Sequence, residues 1–229
     1  SRAYGFKTQV YDDIITVWDE VFHGKPFPFE DSQKWKAAEY MGSVLWDCIG
    51  TVVVAAAEAM DWLREAAKVA AADGLPVRWT TPAGFVVQQD YRVQECERIG
   101  LTFQKTMVRL FLQKDTAELD KRKQQSGISP NWVHSCDASH MQLTVYAAAG
   151  EGIQSFSLIH DSYGTHAGNT QVLAEILREQ FVQMYSGNVL ADFRDELLAQ
   201  LPEGTELREV PMQGTLDLSL VLKSRFFFS

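Results

Sequence analysis

The chain has 229 residues, a hydrophobic share of 46% and a formal charge of -9. That length suits one large domain or two small ones, and the apolar share is enough for a real core. The acidic balance excludes a protein that coats nucleic acid with a uniformly basic surface, but not an enzyme whose basic residues gather in one channel.

Cys48, Cys96 and Cys136 are scattered and odd in number, so no disulfide framework is implied and a reducing interior is the expected setting. The start, Ser1-Arg2-Ala3-Tyr4, lacks the apolar core and cleavage site of a secretory signal. Ser1 is not an initiator methionine, so a processed chain, a truncation or a fragment of something longer is expected.

From Gln9 to Phe22, apolar Val10, Ile14, Val17, Trp18 and Val21 recur at helical spacing. His23-Gly24-Lys25-Pro26 ends that helix, and Phe27-Pro28-Phe29 is a rigid connector. Asp31 or Ser32 is placed to cap a second helix, amphipathic over Lys34 to Tyr40. The Ala-rich stretch from Met41 to Ala72 reads as largely unbroken helix. Its uncharged part, Cys48 to Ala57, is too short for a membrane span of about twenty residues and reads as buried core. Trp62, Ala66 and Val69 then share an inner face, with Arg64, Glu65 and Lys68 outward, before Asp73-Gly74 stops the helix.

Val77 to Thr81 and Phe85 to Tyr91 are β-prone runs joined by Pro82-Ala83-Gly84, the pattern of a hairpin. From Arg92 to Lys123 eight basic residues face five acidic ones, a local charge of +3 inside an acidic chain. Imperfect alternation from Ile99 to Leu112 predicts an exposed β-ribbon. Such a ribbon is either a solvated surface hairpin or an element that enters the DNA major groove, where Arg pairs with guanine.

Gly127-Ile128-Ser129-Pro130 reads as a turn, with a helix starting at Asn131 and running to His140. His134, Asp137 and His140 recur at spacing three around Cys136. This is not an established zinc-ligand spacing, and helix hydrogen bonding accounts for Asp137 and His140. Gln142 to Ala149 is apolar enough to pack behind a hairpin at His160-Asp161, and Gly150-Glu151-Gly152 is a loop.

Ser155 to Gly164 is a β-prone run leading into His160-Asp161 and turning back at Ser162-Tyr163-Gly164, a hairpin with Asp161 at its tip. On local pattern this is a surface turn or a carboxylate presented to a metal. Thr170 to Tyr185 is an amphipathic helix with Val172, Leu173, Ile176, Leu177, Phe181 and Met184 inward. Val189 to Leu201 is another, stopped by Pro202-Glu203-Gly204. Glu203 to Pro211 reads as surface loop and Gly214 to Lys223 as helix. Phe226-Phe227-Phe228 is an apolar terminus that suggests docking, core packing or an aggregation-prone tail.

Ile159-His160-Asp161-Ser162 resembles the third palm motif of single-subunit, bacteriophage-type DNA-directed RNA polymerases. Related DNA polymerases usually carry an acidic residue where Ser162 stands. Similar order and spacing appear in Tyr4-Gly5-Phe6, in residues 51–63, in Trp79-Thr80-Thr81-Pro82-Ala83-Gly84-Phe85, in residues 126–135, in Asp137-Ala138-Ser139-His140 and in Phe226-Phe227-Phe228. The resemblance runs nearly end to end and covers roughly a quarter of a full polymerase.

The resemblance implies an α+β chain of a right-hand polymerase: fingers helices over residues 1–76, β-ribbons over 77–125 with a promoter specificity loop at 92–115, and a palm segment with the His-Asp motif and tail over 126–229. It implies nucleotidyl transfer, which needs two divalent cations about 3.5–4 Å apart, with Mg2+ suited to hard oxygen ligands. Asp161 is the implied metal ligand and catalytic carboxylate, and His160 the residue positioning the primer end or the outer shell of the metal. His134 is implied near substrate and template. Arg98, Gly100, Arg109 and Phe111 match the promoter readers, although the loop length departs from the family pattern near Gln104 to Met107. Gly100 has no side chain to read with, so a different promoter sequence is expected. Phe226 and Phe228 belong to a tail that folds back near the catalytic centre.

The implied partners are promoter DNA, ribonucleoside triphosphates, the RNA product and an N-terminal remainder. That remainder would carry the second aspartate, the Lys and Arg of the nucleotide-binding helix and its Tyr, so this chain alone is expected to be inactive. No membrane is implied, and the setting is the cytoplasm of an infected bacterial cell. The alternatives are a catalytically inactive promoter-DNA-binding module and a packing subunit of a split polymerase.

Overall fold

The computed structural model describes residues 2–103, 106–159, 161–224 and 226–227, with the backbone alone at 2–4, 15, 16, 19, 103 and 106. His160 and Phe228 therefore lie outside the described residues. The chain is of mixed α+β class and divides into two compact units, residues 1–58 and 59–229.

In the first unit α1 (Arg2–Phe22) lies against α2 (Asp31–Val52). Gly42 allows the close approach, since a Cβ there would sit 2.9 Å from Cγ of Lys7. Tilted ring pairs Phe6/Trp46 and Tyr11/Trp35, each with centroids 5.5 Å apart, flank the crossing. The helix α1 stops as expected, with His23 and Gly24 at positive φ, and Trp18 donates to the carbonyl of Lys25 at 2.9 Å to pin the connector. The N-cap of α2 is Glu30, not Asp31 or Ser32, and it makes no side-chain capping bond.

Two expectations about the long Ala-rich helix are corrected. It breaks at Val53, where φ -106° and ψ 49° leave the helical region, and resumes as α3 (Val54–Ala72). Thr51 Oγ1 bonds back to the carbonyl of Cys48 at 3.0 Å within a β-branched run, which weakens the helix there. The uncharged segment is exposed, not core, with Val52 79% accessible. Among the described residues of this unit, α1 covers α2 around Ala38 and Gly42 and leaves the apolar turns beyond them open.

The second unit is built on the rest of α3, whose predicted inner face holds with Trp62 and Ala66 buried and Val69 half-buried, joined by buried Ala67 and Ala70. Strands β1 (Val77–Thr80) and β2 (Val86–Gln89) pair antiparallel across a turn with Gly84 at φ +84°. Phe193, on α6 (Val189–Leu198), stands at the centre of the core, edge-on to Trp62, Trp79 and Trp132 at 6.0, 6.0 and 6.4 Å. The loop after α6 is more than surface. Leu207 is buried, and Trp62 Nε1 donates to the carbonyl of Arg208 at 2.9 Å.

Strands β3 (Arg92–Phe103) and β4 (Thr106–Leu119) form the expected long ribbon, mostly exposed. It feeds α4 (Lys121–Gly150), a 30-residue helix that runs straight through the predicted turn at residues 127–130. The Asp120 side chain accepts from the amide of Lys123 at 2.9 Å and starts the helix ten residues earlier than expected. Gly127 serves close packing, because a Cβ would meet the Tyr91 ring at 2.7 Å. Buried Ile128 and Ser129 hold the stretch around Pro130 in place despite the amide bond that Pro forgoes. The Gln89 and Gln124 side chains exchange bonds of 2.6–2.8 Å with each other and with each other's carbonyls, tying β2 to α4.

The last part holds β5 (Ser157–Ile159), β6 (Ser162–Gly164), α5 (Thr170–Tyr185) and the short α7 (Ser219–Lys223). Residues before Ser219 in the predicted final helix are not helical. A second core joins Ala148, Ile153, Leu173, Ile176 and Leu177, with Phe156 and Tyr163 of the hairpin packed on it; Val172, expected inward, is 40% exposed. No single described helix is long and apolar enough to cross a membrane.

Phe193→Ala should cost about 3–5 kcal/mol by emptying the space between three indoles. Urea unfolding of the chain should show a lower midpoint at nearly unchanged slope. A midpoint within experimental scatter of wild type would contradict this account of the core.

Candidate active site

The hairpin predicted around Asp161 forms, with Leu158 paired to Tyr163 and Ile159 to Ser162. Asp161 is exposed at its tip. Behind the tip the base is closed by Thr165 Oγ1, which donates to the carbonyl of Ser155 at 2.8 Å. Apolar Phe156 and Tyr163 hold the strands to the α4/α5 core, so the carboxylate projects from a packed support.

Two cavities meet at Asp161. One, of about 630 Å3, is lined by Asp161 and Leu158 of the hairpin and by His134, Asp137, Ala138 and Met141 of α4. Positions 134, 137, 138 and 141 share a face at helical spacing, which is why α4 offers them together. The other, of about 490 Å3, lies between the hairpin and α5 and is bordered by Phe227. The structure thus brings Asp161 and His134 to one cavity and adds Asp137. Of the tail, Phe226 is 83% exposed, and Phe227 is the ring that docks, edge-on to Phe181 at 4.8 Å. Arg178 Nε holds the tail by donating to the carbonyl of Ser224 at 3.0 Å.

His140, expected to take part in the helix's own hydrogen bonding, does something else. It is buried, and its Nε2 lies 2.8 Å from the carbonyl oxygen of Leu177. A carbonyl can only accept, so Nε2 carries the proton. The Nδ1 lone pair then accepts from the Tyr163 hydroxyl at 3.3 Å. Burial pulls the His140 pKa below its usual 6.5, opposed by the Leu177 contact and the Asp137 charge. Burial, with the charges of Asp137 and Asp161, pushes the Tyr163 hydroxyl up to about 12. Burial and Asp137 likewise push the Cys136 thiol up to about 12, which leaves it a protonated packing group. Among the described residues no three His, Cys, Asp or Glu side chains gather as a metal-binding cluster.

Far along the chain, the ribbon register pairs Arg98 with Phe111 and Gly100 with Arg109. Cross-strand partners two residues apart lie on one face, so all four predicted readers share it. The Arg98 guanidinium lies over the Phe111 ring at 5.4 Å.

A sequence profile described as DNA-dependent RNA polymerase matches residues 1–207. The chain belongs to this family. It is 41% identical over 252 residues to the DNA-directed RNA polymerase of Enterobacteria phage T3, and 39% identical over 248 residues to T7 RNA polymerase of Escherichia phage T7. Each match takes in the whole chain and 28% of the relative. A tobacco (Nicotiana tabacum) DNA-directed RNA polymerase 2A is 36% identical over 201 residues, covering 87% of this chain and 58% of that protein. The chain thus spans little more than a quarter of the phage polymerases it matches, in their C-terminal region.

Sequence reasoning read Tyr163 only as a turn residue, did not single out Phe227 within the tail, and gave His140 the wrong partners. The available signal was helical spacing, since residues 134, 137, 138 and 141 form one stripe and 136, 140 and 144 the next.

Because the folded pKa of His140 is depressed, its contribution to stability is complete above about pH 6.5 and is lost as pH falls through the lowered folded value. Over that window wild type should lose stability more steeply than His140→Gln, as read from urea midpoints at stepped pH. Parallel profiles would show that His140 does not titrate abnormally.

Proposed function

We propose that this chain supplies part of the catalytic centre and the promoter-reading surface of a DNA-directed RNA polymerase, a nucleotidyltransferase. The observation that carries the reading is the exposed Asp161 carboxylate at a packed hairpin tip, on the wall of a cavity it shares with His134.

The donor set suits a hard cation. Asp161 offers carboxylate oxygens, and Asp137 lines the same cavity, in a setting open enough for water and phosphate. Asp161 would hold Mg2+, which when bound supplies electrostatic stabilisation of phosphate charge. His160 would position the reacting end of the RNA beside it. His134, exposed on α4 across the cavity, is suited to orient nucleotide and template through its ring nitrogens. Phe227 borders the neighbouring cavity and would exclude water from that side.

In this reading residues 1–76 belong to the fingers, 77–125 are ribbons and 126–229 belong to the palm. Arg98, Gly100, Arg109 and Phe111 would face promoter bases. An exposed ribbon with a shared Arg/Arg/Phe face supports that role. Gly100 gives Arg109 an unobstructed cross-strand neighbour, so Arg109 has room to reach a base edge. The substrates would be ribonucleoside triphosphates and a DNA template. A second acidic ligand and the cationic groups that hold triphosphate would come from the N-terminal remainder, so the chain alone would not synthesise RNA.

Supplying the remaining polymerase sequence should restore promoter-dependent RNA synthesis, and Asp161→Ala should lower it by at least about a hundredfold. Undiminished synthesis by that variant, or none from the wild-type assembly, would remove the polymerase reading. Arg98→Ala and Arg109→Ala should each weaken discrimination between promoter and scrambled DNA by about 5- to 150-fold in gel shift. Equal loss on both DNAs would reduce the ribbon to a phosphate contact.

A further inference from the structure

We propose that His140 is a positioning residue that sets the place of Asp161, acting through the Tyr163 hydroxyl on strand β6. The inference rests on the role given above to Asp161, and adds to it a residue that touches neither metal nor substrate.

The hairpin has three residues in each strand, and its sheet contains no third strand among the described residues. A lone hairpin of that size is marginal in water, so side-chain anchors must fix where its tip lies. Tyr163 is one such anchor. Its ring packs on the α4/α5 core, it pairs with Leu158 across the hairpin, and it stands two residues from Asp161. Apolar packing alone would let the ring slide. A directional bond at 3.3 Å from its hydroxyl to His140 Nδ1 removes that freedom.

His140 can act as a fixed acceptor because its other nitrogen is committed. Its Nε2 donates to Leu177 O at 2.8 Å, which fixes the tautomer and the ring plane. One imidazole therefore joins three elements: α4, which carries it, α5, which supplies the carbonyl, and β6, which supplies the hydroxyl. The edge of the ring is packed as well, against Tyr163 at 5.9 Å and Phe181 at 5.7 Å. Phe181 in turn receives Phe227 of the tail. The same α4 places His134 and Asp137 on the cavity wall, so a bond from α4 to β6 also sets the distance across that cavity. Metal sites tolerate ligand errors of only about 0.2 Å, and a misplacement of about 1 Å can cost about a hundredfold in rate. A tether two residues from the exposed Asp161 carboxylate is therefore positioned to matter.

The test uses Tyr163→Phe, which keeps the ring, and His140→Gln, with Asp161→Ala alongside, in polymerase assembled from this chain and the remaining sequence. Both tether variants should raise the Mg2+ concentration for half-maximal synthesis, by up to about tenfold for Tyr163→Phe, with nucleotide KM little changed and the rate recovered at high Mg2+. A general loss of folded protein would lower the maximum without moving that concentration. An unchanged metal requirement, with Asp161→Ala inactive, overturns this inference alone. An active Asp161→Ala, or an inactive wild-type assembly, overturns the polymerase reading and this inference with it. On the chain by itself, imidazole 15N spectra should show His140 as the Nε2–H tautomer. Tyr163→Phe should shift its Nδ1 signal and speed amide exchange across the hairpin. An Nδ1–H tautomer, or exchange equal to wild type, also overturns the inference.

Discussion

The second unit depends on α4 staying helical for about 45 Å. Its first turns are anchored by buried Gln124, Ile128 and Ser129, with Ile128 in the tryptophan core, and from His134 onward it carries His134, Asp137 and His140 toward the hairpin. A break at Pro130 would uncouple those two parts, and the cavity wall would no longer be referred to the core. The missing amide bond at Pro130 is offset by the burial of Ile128 and Ser129 just before it and by the Asp120 cap upstream. Gly127, which in isolation favours a turn, is used for approach to Tyr91.

Burial within the second unit is graded from this helix outward. In the Phe193 cluster three indoles converge on one buried ring. The hairpin is held by a smaller apolar core and a few directional bonds, and its tip is exposed. The β3/β4 ribbon extends further from any core and exposes most of both faces. That ordering matches the demands of the proposed chemistry. A carboxylate that meets a metal needs a fixed origin with an accessible end, and a ribbon that meets a groove needs reach more than burial.

In the first unit, the later turns of α2 expose apolar side chains. Val44, Leu45, Ile49 and Val52 sit at helical spacing on a helix that α1 covers elsewhere. A contiguous apolar stripe of this kind is unusual on a free surface and marks a place where other elements dock.

By itself the sequence determined the local elements and the family. The hairpin at Asp161, the ribbon, the amphipathic helix at residues 170–185 and the stop at Asp73-Gly74 were legible because period and turn chemistry act within a few residues. Family membership was legible because ordered motifs along a whole chain are hard to match by accident. Tertiary structure alone decided the continuity of α4 through Pro130, the exposure of the Cys48–Ala57 stretch, the docking of Phe227 rather than Phe226, and the bond from Tyr163 to His140. Each of these turns on a partner far away in the chain. Burial can outweigh a local helix breaker, the lack of a covering neighbour can leave an apolar run exposed, and a histidine takes its tautomer from whichever carbonyl it meets.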